Sequence, residues 1–260
     1  MEKKNELGFK EIIESVEDFC KVRNHTNALG NTKHYTPRLE FLIILLESSG
    51  IHYEVDEFTE NGTPFYNLVM RGTGTRMVIA HHDIVNPYSD NANDNSASVI
   101  NAIALKKISP ETHVVITDGE EVGLIGAKRL AKRIASGDFG WIDWVLNIEL
   151  SGKGGKNFMI GSHKGKLTDH IISLFNPPVK RTPTSDCYAM IEHGIDTNVI
   201  NPLPLLLEGE SDMMNERGFL DNSSWYLCHS DEDSFDKISI KEMEEFVTDV
   251  LLPIVSTKYE

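Results

Sequence analysis

Histidine and carboxylate side chains follow directly after three short apolar runs in this sequence. These polar clusters are His81-His82-Asp83, Asp118-Gly119-Glu120-Glu121 and Glu149. Imidazole and carboxylate groups are common ligands of divalent metal ions in proteins. A carboxylate beside such an ion can also act as a general base when water attacks a substrate. The residue types therefore indicate a metal site able to support hydrolysis.

The three apolar runs have the length and composition of buried strands. They cover residues 77–80, 113–117 and 144–148. Short apolar runs bounded by polar residues are typical of a parallel sheet that is covered on both faces. In open α/β sheets the ligand lies beyond the carboxyl ends of the strands. We therefore expect the three clusters to meet in one crevice at that edge of the sheet.

Helical segments are predicted around these strands. Apolar residues recur at helical spacing after Thr36-Pro37, after Ser96, after Gly123 and from 241 to 255. This pattern predicts an α/β three-layer sandwich, with a mixed, mostly parallel central sheet and helices on both faces. No repeat or shift in composition marks a second domain. We expect residues 1–260 to form a single catalytic domain.

Two further segments carry structural predictions. Strand-like residues occupy 52–58, 65–71 and 76–80, and the turn at 72–75 is predicted to join the last two as a hairpin. This turn does not complete the Gly-x-Gly-x-x-Gly pattern, which disfavours a phosphate-binding loop. Segment 202–224 is the least regular stretch and is predicted to be a long surface loop.

Composition narrows the range of partners. The formal net charge of −15 argues against nucleic-acid binding and favours cationic substrates or metal ions. No apolar run is long enough for a membrane span or a signal peptide. Cys20, Cys187 and Cys228 are too few for a disulfide framework. Reduced thiols in a cytoplasmic protein are expected, and a Cys187–Cys228 bridge is the alternative.

The spacing of His81 and Asp83 predicts a ligand and its supporting carboxylate. Residues two apart on an extended chain face the same way. Asp83 is therefore expected beside the imidazole of His81, where it would fix the tautomer. His82 would point elsewhere and pack against other residues. The alternative is that His82, rather than His81, binds the metal.

The other candidates each have a structural alternative. Asp94 precedes a predicted helix, which it could cap, although capping does not prevent metal binding. Glu120 and Glu121 could form a surface pair at a helix start, or divide the roles of general base and ligand. Glu149 ends an apolar strand, where an unpaired charge is costly. An isolated histidine such as His229 is only weak evidence for a metal ligand, because such residues are more often structural. Two divalent ions would balance the charge of three carboxylate ligands and one hydroxide.

The order of these motifs resembles that of M28-type zinc aminopeptidases, which belong to the clan of co-catalytic di-zinc exopeptidases. The resemblance spans about residues 36–255 and rests on His81-x-Asp83, Asp94-Asn95, the segment 118–127, Asn147-Ile148-Glu149 and Cys228-His229-Ser230. Its most distinctive part is Glu-Glu-x-Gly-Leu-x-Gly. Only 80 positions separate Glu149 from His229, which leaves no room for the extra domain of M20-type peptidases. The early insertion of M42-type members is also not apparent.

The resemblance implies a zinc-exopeptidase fold of the phosphorylase/hydrolase-like type and a role for each motif residue. His81 and Glu149 would hold one zinc ion, Glu121 and His229 would hold the other, and Asp94 would bridge both. Glu120 would be the general base, and Asp83 would orient His81. These assignments give a catalytic pair and a site for two zinc ions, with other divalent transition metals as possible substitutes.

Three features depart from the family pattern. Glu149 stands where aspartate is more frequent, Ser185-Asp186-Cys187 replaces a common Ser-Asp-His stretch, and the loop from His81 to Asp94 is short. These differences concern the pocket wall and its rim. They leave the preferred substrate open.

The resemblance implies a metal-dependent exopeptidase that removes N-terminal residues of peptides by means of a zinc-bound hydroxide. A glutaminyl cyclase or a small-amide deacylase on the same scaffold is the alternative. A non-catalytic metal-bound binding protein is disfavoured by the intact Glu120-Glu121 pair. The expected partner is a peptide or small amide, with no nucleic acid and no membrane. The sequence does not specify the number of subunits.

Overall fold

An eight-stranded sheet runs through the part of the chain that the computed structural model describes, residues 6–22, 36–203 and 228–257. Its strands are β1 (Glu54–Glu60), β2 (Thr63–Met70), β3 (Arg76–His81), β4 (His113–Thr117), β5 (Trp144–Ile148), β6 (Phe158–Gly161), β7 (Val179–Lys180) and β8 (Thr197–Pro202). Their order in the sheet is β1-β2-β4-β3-β5-β8-β6-β7.

The four central strands, β4, β3, β5 and β8, are parallel to one another. Antiparallel pairing joins β1 to β2, β2 to β4, and β8 to β6, while β6 and β7 are parallel. The mixed, mostly parallel sheet predicted from the apolar runs is therefore confirmed. Its central strands are buried at every position of β4 and β5, as a sheet covered on both faces requires.

Helices cover both faces of this sheet. They are α1 (Phe9–Glu14), α2 (Val16–Lys21), α3 (Pro37–Ser48), α4 (Ala97–Ile108), α5 (Ile125–Ala135), α6 (Lys166–Phe175), α7 (Cys187–Glu192), α8 (Ile240–Phe246) and α9 (Leu252–Ser256). Alternate residues of β3 belong to separate cores: Val78 to the one that includes residues of α3 and α4, and Ile79 to the one that includes residues of α5 and α7. The three-layer α/β arrangement is thus confirmed.

The predicted hairpin at residues 72–75 is wrong. In the described sheet, β4 lies between β2 and β3, so these two strands do not pair. The hairpin forms instead between β1 and β2, where Asn61 and Gly62 adopt positive φ angles of 50° and 82°. Asn-Gly is the strongest short-range signal for such a turn. The glycines of 72–75 allow the backbone of this turn to lie close to that of Glu111: a Cβ on Gly72 would lie 2.1 Å from the carbonyl oxygen of Glu111.

Helix α3 begins where the sequence predicts. Thr36 accepts a hydrogen bond from the backbone N–H of Leu39, and Pro37 occupies the first turn. Positions 204–224 of the predicted surface loop lie outside the described residues. None of the helices within the described ranges has the length and apolar character needed to cross a membrane.

Candidate metal centre

The carboxyl ends of three parallel strands meet at one edge of the sheet. In the register of β3 and β4, His81 lies opposite Thr117, and Glu149 follows the last residue of β5. A cavity of about 180 Å³ opens at this edge. Its described lining residues are His81, Asp94, Glu120, Glu121, Glu149, Leu150, Thr182, Pro183, Thr184, Ser185, Val199, Asn201, Cys228 and His229. The structure therefore brings the predicted ligands and the predicted base to one crevice.

His81 is buried among three carboxylates. Its Nδ1 atom lies 3.4 Å from Oδ1 of Asp83. Its Nε2 atom lies 3.4 Å from Oδ1 of Asp94 and 3.5 Å from Oε2 of Glu149. Burial lowers the pKa of His81, but the negative charge of Glu149 and the hydrogen bonds to the carboxylates outweigh it and raise that pKa well above its usual value.

Asp83 contacts both the histidine and the turn that carries the glutamates. Besides facing His81, its two oxygens accept the backbone N–H groups of Glu120 and Glu121, each at 3.1 Å. Burial raises the pKa of Asp83, but hydrogen bonding to His81 and the charges of His81 and His82 give a net lowering. Asp83 therefore lies where a supporting carboxylate for His81 was predicted, and it also fixes the position of the Glu120-Glu121 turn.

His229 forms a second group with Asp94 and Glu121. Its Nε2 atom lies 3.3 Å from Oδ2 of Asp94 and 3.1 Å from Oε2 of Glu121. Hydrogen bonds to Asp94 and then to Glu121 raise the pKa of His229 to about 10. Asp94 thus presents one oxygen to His81 and the other to His229, and this carboxylate joins the two groups.

The backbone at Asp94 departs from the conformation of the helix that follows it. Asp94 has φ −115° and ψ 87°, which is not helical, and its peptide bond to Asn95 is cis. No side chain caps the start of α4 through a hydrogen bond. The capping role that a sequence reading allows for Asp94 is therefore not seen, because its carboxylate faces the two histidines.

Glu120 lies in the cavity beside these groups. Burial raises the pKa of its carboxyl to about 10, and the charges of Glu149, Asp186 and Glu121 add to this shift, although His81 opposes it. The acidic groups of this cavity outnumber its two histidines, and a bound cation would offset the charge of the ionised carboxylates. Candidate ligand atoms of His81, Asp94 and Glu121 lie within 4.8 Å of one another. The imidazole and carboxylate donors present here fit zinc.

Two amide side chains that sequence reasoning missed hold Glu149. Asn95 donates from Nδ2 to Oε2 of Glu149 at 2.6 Å, and Asn147 donates to Oε1 at 3.1 Å. Asn147 also contacts Oγ of Ser185 at 3.1 Å, so this pair of amides connects the glutamate to the cavity wall. The only signal in the sequence was the spacing of Asn147 and Glu149, two apart on a strand and hence on one face.

The alternative metal ligand, His82, lies away from the cavity. His82 is buried, and its Nε2 atom lies 3.1 Å from the carbonyl oxygen of Tyr66, which places it outside the set of lining residues. In the altered Ser-Asp-Cys stretch, Ser185 lines the cavity and buried Asp186 accepts a hydrogen bond from Thr117. No disulfide joins any two of the three cysteines, so the alternative Cys187–Cys228 bridge does not form.

The family model of peptidase family M28 matches residues 67–252, which is more than half of the sequence. The chain belongs to peptidase family M28. This membership confirms the resemblance predicted from the motifs and the predicted class of enzyme, a zinc-dependent hydrolase that acts as an exopeptidase.

Solved structures share the fold at low sequence identity. A Zn-dependent exopeptidase from Parabacteroides distasonis ATCC 8503 is 14% identical with a TM-score of 0.71, over 98% of this chain and 100% of that one. A glutaminyl cyclase from Porphyromonas gingivalis is 15% identical with a TM-score of 0.66, over 95% and 96% of the two chains. The zinc aminopeptidase BSAP from Bacillus subtilis is 17% identical with a TM-score of 0.58. That match covers 76% of this chain and 51% of BSAP, so the chain spans about half the length of that aminopeptidase.

Proposed function

We propose that the protein is an aminopeptidase that holds two zinc ions and releases N-terminal residues from peptides. One observation carries this proposal: the two oxygens of Asp94 face two separate groups of donors. His81 and Glu149 lie on one side, and Glu121 and His229 lie on the other. A carboxylate in that position is suited to bridging two cations, and each group supplies one imidazole and one further carboxylate.

In this proposal His81 and Glu149 would hold one ion, Glu121 and His229 would hold the second, and Asp94 would be shared. Zinc bound by these residues would polarise the scissile carbonyl and lower the pKa of the attacking water. Asp83 keeps the Nδ1 atom of His81 protonated, so that Nε2 would offer its lone pair to the metal ion. The two amides on Glu149 hold its carboxylate toward His81.

Glu120 is the proposed general base. It lines the cavity next to the ligands, and its backbone N–H is held by Asp83. Its carboxylate accepts the proton of the attacking water and then gives that proton to the amine of the departing peptide. This role needs the ionised form at neutral pH. The raised pKa of Glu120 in the metal-free site comes from burial and from neighbouring carboxylates, whose charge bound cations would offset.

The lining of the cavity supports recognition of a free amine. Its described residues include four carboxylates and no lysine or arginine. A peptide N-terminus carries a positive charge that these carboxylates attract, whereas a C-terminal carboxylate would meet no lysine or arginine among them. The remaining described wall is formed by uncharged residues, including Thr182, Pro183, Thr184 and Val199. These features favour an aminopeptidase over a carboxypeptidase.

A substrate panel tests the proposal. The zinc-loaded protein should release the first residue from peptides with a free N-terminus and leave N-acetylated peptides of the same sequence intact. Glu120→Gln protein provides the inactive control. Cleavage of the acetylated series alone would refute the proposal in favour of a deacylase. Because the fold is shared with a glutaminyl cyclase, the panel includes N-terminal glutamine peptides, from which a cyclase would release ammonia without cleaving a peptide bond.

The three cysteines, which form no disulfide with one another, support a cytoplasmic location within this proposal. Reduced thiols are the ordinary state of cysteine in a reducing compartment.

A further inference from the structure

Asp233 connects the two segments that carry Asp94 and His229. Its carboxylate accepts the backbone N–H of Asn93 at 2.8 Å and the backbone N–H of Asp94 at 3.0 Å. Asp233 lies four positions after His229 and is only 1% exposed. Both of its oxygens are therefore used to hold the backbone at and before Asp94.

A second carboxylate makes the reciprocal contact. Asp90 accepts the backbone N–H of Phe235 at 2.9 Å. The side chain of Asn86 donates to Oδ1 of Asp231 at 2.7 Å. The segments 86–94 and 229–235 are thus joined in both directions by side chain hydrogen bonds. Neither segment belongs to the sheet, so these bonds, and not strand register, set the distance between them.

We propose that Asp233 is a positioning residue that sets the separation of Asp94 and His229, and thereby the affinity for one of the two ions; this inference rests on the proposed function. Metal ligands need positions defined to within about 0.2 Å. His81 and Glu149 stand at the ends of β3 and β5, where the sheet fixes them. His229 has no such support. Loss of Asp233 should therefore weaken the ion held by His229 and Glu121 far more than the other ion.

The substitution Asp233→Asn tests this role with little change in size. An amide oxygen can accept one of the two backbone N–H groups, but the amide nitrogen would face the other donor. The variant should bind its first zinc ion like the parent and its second about 10- to 100-fold more weakly. It should reproduce the binding profile of His229→Gln. Titration of the metal-free protein with zinc, in competition with a chelating dye, measures both affinities. The visible spectrum of the cobalt-loaded protein reports a changed coordination of the ion held by His229 and Glu121.

Asp236→Asn is the matched control. Asp236 is an exposed carboxylate three residues along the same segment, and its hydrogen bonds are to neighbouring Ser234 and Lys237. This variant should bind both ions with parental affinity. Asp90→Ala is the second test variant, because half-buried Asp90 joins the same two segments by accepting the backbone N–H of Phe235. It should weaken the same ion to a smaller extent, since Phe235, whose N–H group Asp90 accepts, is only partly buried.

The outcomes separate this inference from the proposed function. A folded Asp233→Asn protein that binds both ions with parental affinity, or that loses both equally, overturns the positioning role. If Asp233→Asn does not fold, parental affinity of Asp90→Ala for both ions overturns it instead. A parent protein that binds no second zinc ion refutes the two-ion proposal itself and removes this inference with it.

Discussion

The Oδ2 atom of Asp94 lies 3.3 Å from the Nε2 atom of His229, although 135 positions separate the two residues. The other oxygen of Asp94 lies 3.4 Å from His81. One carboxylate therefore contacts both imidazoles of the cavity. Removal of that carboxylate should disturb both groups at once, whereas removal of any other acidic residue of the proposed ligand set should disturb only one.

Asp94→Ala should lose both zinc ions. The substitution removes the shared carboxylate and leaves each remaining group with one imidazole and one glutamate, which is too few for tight binding. Glu121→Ala should lose only the ion on the side of His229, and exposed Asp236→Ala should lose neither. Elemental analysis of the purified proteins after dialysis measures zinc per chain. Two ions per chain in Asp94→Ala protein would rule out the bridging role.

Glu120→Gln should keep its metal and lose most of its turnover. The amide has the size of the carboxylate but cannot take a proton from water, so kcat should fall by about 100- to 10,000-fold. Zinc content and the unfolding temperature should match those of the parent. Glu60→Gln, an exposed change on β1, is the matched control and should keep full activity. Hydrolysis of aminoacyl anilides by Glu120→Gln at the parental rate would show that Glu120 is not the base.

The metal-free protein should become less stable as pH rises from about 6.5 toward 10. The pKa of His229 is raised from 6.5 to about 10 by Asp94 and Glu121. A group with a raised folded-state pKa stabilises the protein fully below its unfolded pKa, and that contribution disappears as pH rises through the folded value. Urea unfolding at several pH values within this range measures the decline in the free energy of unfolding.

His229→Gln and zinc loading provide the controls for this pH dependence. The variant lacks the titrating imidazole, so its decline between the two pKa values should be shallower, with His81 and Glu120, whose pKa values are also raised, accounting for the remainder. In the zinc-loaded parent the imidazoles are neutral ligands, and the decline should be absent. A metal-free parent whose stability is constant across this range would contradict the ion pairing of His229 with Asp94 and Glu121.

The sequence predicts the half of the site that lies on the sheet better than the half that lies on loops. His81 and Glu149 follow apolar runs that read as buried strands, so their meeting at one edge follows from the rules of α/β sheets. Asp94 and His229 lie on irregular segments, and their roles came from the resemblance to a family. Nothing in the spacing of residues 86–94 and 229–235 indicates the hydrogen bonds of Asp233, because such contacts depend on how two loops pack.

Local signals failed where a long-range pairing competed with them. The glycines at 72–75 resemble a hairpin turn, yet β4 lies between the flanking strands β2 and β3. No residue near this turn indicates that β4 takes that place. The Asn61-Gly62 turn was the stronger local signal and does form the hairpin. The amide of Asn95 could not be recognised in advance, since no spacing marks this asparagine as the partner of Glu149, whereas Asn147 is indicated only by its position two residues before Glu149 on the same strand.

Gly126→Ala should destabilise the fold and reduce activity, although Gly126 does not line the cavity. A Cβ at this position would lie 2.3 Å from Oδ1 of Asn67 and 2.5 Å from the backbone oxygen of Asp118. The backbone of Gly126 already bonds to both residues, so neither can move freely. Overpacking of this kind costs about 1–3 kcal/mol. The backbone displacement that relieves this overpacking should extend to the turn after Asp118, which carries Glu120 and Glu121.

Urea unfolding and turnover of the zinc-loaded protein measure these two effects of Gly126→Ala. Lys132→Ala is the control, because it places an alanine on the exposed face of the same helix α5 and should change the free energy of unfolding by less than about 0.5 kcal/mol. A Gly126→Ala protein as stable and as active as the parent would show that α5 can move away from the turn. The close contact of Gly126 with Asp118 would then have no part in placing the glutamates.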